Sequence, residues 1–162
     1  MVFLSLLIAQ SLALFLFEGL LPVPFLAPGA KLGLANIITV LALYTLSVRD
    51  TFLIVLLRTL LGSLFGGGPA VFLYSITGGI LSLAAMIFLK RTEKFSILGV
   101  SAAGGFMHNV GQLLIAALVI ENTSIFGYLP ILGPCGIITG ICIGILALFL
   151  QKKLSPIFLS RR

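Results

Sequence analysis

Acidic residues are scarce in this chain: four Asp and Glu stand against ten Lys and Arg in 162 residues, and Asp50 is the single aspartate. That scarcity excludes chemistry that rests on magnesium ions held by clustered aspartates. The sequence is expected to hold no metal and to need no cofactor. It has one histidine, His108, and no acid placed to orient its ring beside Ser75 or Ser101, so hydrolysis by a catalytic triad is not expected. No Gly-x-x-x-x-Gly-Lys-Ser/Thr occurs, so the chain has no P-loop ATPase site of its own. Gly66-Gly67-Gly68-Pro69 reads as a turn rather than a phosphate loop. An extended hydrophilic block is also missing, which leaves no place for a soluble domain. The two cysteines, Cys135 and Cys142, lie seven residues apart in one apolar run. On a helix that separates their Cα atoms by roughly 10 Å, too far to pair, and they read as small thiols packed between helices.

What is abundant is apolar surface. Hydrophobic residues make up 60% of the chain and charged residues 9%, and apolar runs long enough to cross a bilayer recur along it. The expected fold is an all-α integral membrane protein, a single domain over 1–162. Its six transmembrane helices are expected at about 2–21, 33–48, 51–65, 70–89, 95–120 and 131–150. Arg49-Asp50 reads as a tight turn, Glu121–Pro130 as a loop and Gln151-Lys152-Lys153 as the start of a basic tail. With both termini in the cytoplasm, Arg49, Lys90, Arg91, Lys94, Lys152, Lys153, Arg161 and Arg162 all fall inside. Lys31 alone falls outside, in keeping with the positive-inside rule. The net charge of +6 is therefore a topology signal and does not point to nucleic acid.

Polar groups within the apolar runs are the functional leads, because each needs an answering group in the bilayer. Gly104-Gly105-Phe-Met-His108-Asn109-Val-Gly-Gln112 puts His108 and Gln112 at i and i+4 on one helix face, with Asn109 close by. The two glycines one turn earlier leave room for a helix or a ligand. Arg58 lies about 10 Å up its helix from the Arg49-Asp50 turn and cannot shed its proton, so it needs an acceptor or a polar cavity. Counted from the inner surface His108 is roughly 18 Å up and Gln112 roughly 24 Å, so the cluster faces the outer half. Pro22–Leu34 holds several prolines and glycines and reads as an apolar loop folded over the bundle mouth, with Lys31 available for an anion. Glu18 sits near the outer end of the first helix, where it meets interfacial water or a basic group.

Two stripes of small residues are expected to let helices approach closely: Ser5, Ala9 and Ala13 in the first span, and Gly136, Gly140 and Gly144 in the sixth. The glycine stripe reads as packing within the chain. For the first stripe, packing inside the chain and docking on another subunit both remain open.

Several segments together resemble a known family: Pro28-Gly29-Ala30-Lys31-Leu32-Gly33-Leu34-Ala35-Asn36, Arg58-x-x-Leu-Leu-Gly-Ser63, Phe72-Leu73-Tyr74-Ser75 with Gly78-Gly79, and His108-Asn109-x-x-Gln112. The chain resembles the Gx transporter family, also labelled heptaprenyl diphosphate synthase component I, which is similar to the substrate-binding S-components of energy-coupling factor (ECF) transporters. The resemblance covers nearly the whole chain. It implies a multi-pass subunit of the prokaryotic plasma membrane that captures a small solute, while a transmembrane coupling subunit and two ATPases supply the energy. It further implies that Ala9-x-x-x-Ala13 contacts the coupling subunit and that the loop between the first two helices serves as a lid. Lys31 and Arg58 would complement an anionic or phosphorylated group, and Asn36, Tyr74, His108, Asn109 and Gln112 would line the polar site. The enzymatic label does not fit a chain with one aspartate at a turn, so the protein is not expected to be an enzyme. The alternative is a non-transporting membrane accessory or scaffold subunit associated with isoprenoid or quinone synthesis.

Overall fold

A computed structural model describes residues 2–20, 33–66 and 68–159, with side chains to 153. Among these residues the chain forms six α-helices and one short 3-10 helix: α1 Val2–Gly19, α2 Asn36–Thr45, α3 Val48–Gly66, α4 Gly68–Arg91, α5 Ile97–Ile120, the 3-10 helix Thr123–Tyr128, and α6 Leu129–Leu159. It is an all-α protein of membrane type. Helices α1, α4 and α5, and the run Thr123–Lys153 that includes α6, are each long and apolar enough to cross a bilayer. Helix α3 carries Arg49, Asp50 and Arg58, and α2 is only ten residues long.

The helix bounds depart from expectation most at α2, expected over 33–48 and observed over Asn36–Thr45, and at three further places. Arg49 and Asp50 form the first turn of α3, because Ser47 caps it: its hydroxyl accepts from the Asp50 amide at 3.1 Å and donates to Asp50 Oδ2 at 2.8 Å. The reversal lies instead at Leu46, whose backbone is extended. The loop after α5 contains the 3-10 helix, begun by Asn122 Oδ1 accepting from the Ser124 amide at 2.9 Å. Gln151, Lys152 and Lys153 continue α6, as good helix formers do, with Lys153 Nζ 4.8 Å from the Phe149 ring one turn back. The expected interhelical burial of Cys135 and Cys142 is not found. Both are exposed on the outward side of α6, because the glycine face of that helix takes the contact with α5.

Helix α2 is central. Its residues 36–43 are all buried, with Ile37, Val40 and Leu43 in one apolar cluster with α4, α5 and α6, and Ile38, Leu41 and Ala42 in another with Leu7 and Ile54. Ten residues rise about 15 Å, half the thickness of a hydrocarbon core, so α2 cannot span by itself. Its C-terminal end is met by α4: Lys90 Nζ donates to the Leu43 carbonyl at 2.5 Å and lies 4.9 Å from the Tyr44 ring. A cation there answers both an unpaired carbonyl and the negative end of the helix dipole.

The glycine stripe of α6 packs on α5 as expected. A Cβ on Gly136 would stand 2.7 Å from the Gly105 carbonyl, and one on Gly140 would stand 2.5 Å from the Ser101 carbonyl. The close approach brings Ser101 Oγ within 2.6 Å of the Gly140 carbonyl, to which it donates. Gly104 faces Met86 of α4 and Gly105 faces α6, so both give room to helices. Gly140→Leu should lower stability by about 1–3 kcal/mol through overpacking, read as thermal unfolding in detergent micelles. Gly127→Ala, where a Cβ would meet nothing within 4 Å, should leave it unchanged.

Candidate functional site

Polar side chains from five elements meet at one level of the bundle. Arg58 is ten residues into α3 and His108 eleven into α5, so each sits roughly 15–17 Å from the end where those helices begin. Asn36 opens α2 at the same level, because α2 ends beside the start of α3. Arg58 is 2% exposed, and its Nη2 donates to Asn36 Oδ1 at 2.7 Å. Its Nε and Nη1 have no hydrogen-bond partner among the described residues. An arginine at such depth costs about 2.5–3.5 kcal/mol on insertion scales, so unused donors on it are costly features to keep.

A narrow cavity lies against this group, lined by Phe15 and Glu18 of α1, Gly33 and Ala35 before α2, Arg58 and Thr59 of α3, Ser75 of α4 and His108 of α5. It measures about 10 Å³, close to the room one water needs. Thr59 Oγ1 is spent on the Val55 carbonyl at 2.8 Å, whereas Ser75 Oγ has no partner among the described residues. The His108 ring lies against Gly78, where a Cβ would come within 3.0 Å of Nδ1 and Cε1, and its Nε2 is 3.2 Å from Gln112 Nε2. Glycine at 78 is what lets the imidazole lie between α4 and α5.

The expected site residues thus divide. Arg58 and His108 line the cavity, each with one expected residue against it: Asn36 accepts from Arg58 Nη2, and Gln112 Nε2 lies 3.2 Å from His108 Nε2. Asn109 turns the other way: its Nδ2 donates to the Leu132 carbonyl of α6 at 2.6 Å, through space left by Gly136. Tyr74 is buried beside Ser75 on α4 but does not line the cavity. Lys31, with most of the proline-rich loop, lies outside the described residues.

Two residues that line the cavity were not among the expected site residues. Glu18 is 3% exposed, and its carboxylate accepts the backbone amides of Gly33 and of Leu34, the latter at 3.0 Å. An acid within an apolar helix is itself a signal, since it must find donors. Ser75 gave no such signal, because a serine in a membrane helix commonly satisfies itself on its own backbone.

The stripe on α1 faces away from all of this. Leu7, Ser11, Phe15 and Glu18 are the buried side of the helix, and Ser5, Ala9 and Ala13 are exposed about half a turn away. The polar Gln10 is exposed on the same outward side.

The fold and this embedded cavity define a membrane protein built around a buried polar site. The sequence matches the family described as heptaprenyl diphosphate synthase component I over residues 7–150, and the chain belongs to that family. No curated protein and no solved structure matches it. Asn109→Ala, which removes one interhelical hydrogen bond, should cost about 0.6–2 kcal/mol of stability in thermal unfolding.

Proposed function

We propose that the chain is the substrate-binding membrane subunit of an ECF-type importer. In this reading it captures a small anionic solute from the outer face at the Arg58 cavity, and ATPase partners drive uptake through a transmembrane coupling subunit. The observation that carries this is Arg58, buried at the N-terminal end of a half-length helix with Nε and Nη1 unpartnered among the described residues. Glu18 already answers the positive end of α2, so the directional donors left for an anionic group are those of the guanidinium. Ser75 Oγ offers a further hydrogen bond and His108 a wall of the cavity. A solute larger than water requires the cavity walls to part, as expected of a subunit that takes up and releases cargo.

The outward stripe supports the second half of the proposal. Ala9 and Ala13, exposed on the outward side of α1, allow a partner helix to approach closely, and the exposed Gln10 is a polar group to which such a partner could hydrogen-bond. The chain itself carries out no chemistry in this reading, and its single aspartate sits at the capped start of α3. The family description favours a second reading, a non-transporting accessory subunit of isoprenoid or quinone synthesis in a cell membrane.

Mass spectrometry of protein purified gently from its own membrane separates the two. The importer reading expects a co-purifying small anion, lost in Arg58→Ala and reduced in His108→Ala while the helical fold persists. It also expects a coupling subunit that is lost when Ala9 and Ala13 are both replaced by Leu. Co-purification of a prenyl synthase instead, indifferent to Arg58→Ala, would establish the accessory reading.

A further inference from the structure

We propose that Glu18 is the positioning residue of the cavity, holding the chain that leads into α2 so that Asn36 aims the Arg58 guanidinium. Its functional meaning rests on the Arg58 cavity being the binding site, whereas its test reads the protein without ligand.

Helix α2 begins at Ala35 with no side-chain cap of its own. Its first amides, of Asn36 and Ile37, turn onto the carbonyls of Gly33 and Leu34, and the amides of those same two residues are held by one carboxylate of α1. Hydrogen bonds to an ionised acceptor are among the stronger ones, and here they hold the backbone on which α2 starts. Gly33 has a φ of +86°, which a side chain rarely tolerates, and a Cβ at this position would stand 2.9 Å from Asn36 Nδ2 and 3.6 Å from His108 Cδ2. The Asn36 amide closes the turn onto the Gly33 carbonyl at 2.8 Å. The peptide that Glu18 grips is therefore the one against which the Asn36 side chain rests.

Asn36 Oδ1 is in turn the one acceptor that Arg58 has among the described residues. Among the described residues no other hydrogen bond fixes the guanidinium, so the directions in which Nε and Nη1 point follow from where Asn36 is held. Glu18 also lines the cavity, so its negative charge favours the buried arginine while its oxygens are engaged by backbone amides. It supports the charge of Arg58 and leaves Nε and Nη1 open.

The test uses ¹⁵N-labelled full-length protein in lipid nanodiscs, reading amide exchange and the Arg58 side-chain nitrogen resonances by NMR. Glu18→Gln keeps one acceptor oxygen and places an NH₂ where the other stood. Exchange at Gly33 or Leu34 should rise about tenfold or more and the Arg58 resonances should shift, with α5 amides around Ser101 still protected. Asn36→Ala should shift the Arg58 resonances while Gly33 and Leu34 keep their protection. Gly33→Ala, which disturbs the same peptide without touching Glu18, should reproduce both effects and serves where Glu18→Gln fails to fold. The proposal is overturned if Gly33 and Leu34 exchange faster yet Arg58 does not move, which would make Glu18 a helix cap only. It is equally overturned if protection falls evenly through α4 and α5, which would make the effect general unfolding. Either result leaves the binding role of Arg58 standing, and a failure to find bound solute leaves this relay standing.

Discussion

A helix of ten residues cannot bring both of its ends to water across a membrane, so its terminal amides and carbonyls must be answered by protein. Helix α2 is such a helix, and two charged side chains from neighbouring helices sit at its two ends. Glu18 of α1 takes the amides just before it, and Lys90 of α4 donates a hydrogen bond to the Leu43 carbonyl near its end. Each charge has the sign that suits the dipole it meets. With its ends closed, α2 can be buried on every side and contribute to both apolar clusters of the bundle. The rest of the chain is arranged around it by glycine-mediated contacts, with α5 pressed between α4 and α6.

The same constraint creates the site. Because α2 stops half-way, its first residue, Asn36, lies at the level of Arg58 rather than at the surface, and the cavity forms where the two meet. A long helix in this place would have carried its polar end out to the headgroups and left Arg58 without its acceptor. The half-length helix, the buried guanidinium and the acid that steadies both are one arrangement. Asn109 and Ser101, by contrast, spend their side chains on α6 carbonyls and hold the bundle together.

Much of this is legible in the sequence, and what is not has identifiable reasons. The all-α membrane fold follows from composition and run length, and the glycine stripe of α6 packs as its spacing predicts. Arg58, Asn36, His108 and Gln112 stand out because polar groups in apolar runs are expensive, and they do converge. Asn109 stands out for the same reason but faces α6, since cost alone does not say which neighbour meets it. Ser47 and Asp50 form a capping pair that spacing reveals, although the adjacent charges of Arg49 and Asp50 suggest a turn. The cysteines of α6 face outward because small size suits a helix contact but does not direct a residue into one, and the glycines took that side. That α2 is ten residues long is the least legible feature. The apolar run through Val48 is continuous, and the helix ends where Leu46 becomes extended under tertiary packing and the Lys90 contact.

If Arg58 keeps donors open inside the membrane for a solute, an experimental structure of the protein purified from its own membrane without exchange of small molecules should capture that solute in place. The account predicts a non-protein acceptor group within about 3 Å of Arg58 Nε or Nη1, with Asn36 still on Nη2. Finding both nitrogens hydrogen-bonded to carbonyls or side chains of the chain itself would contradict it.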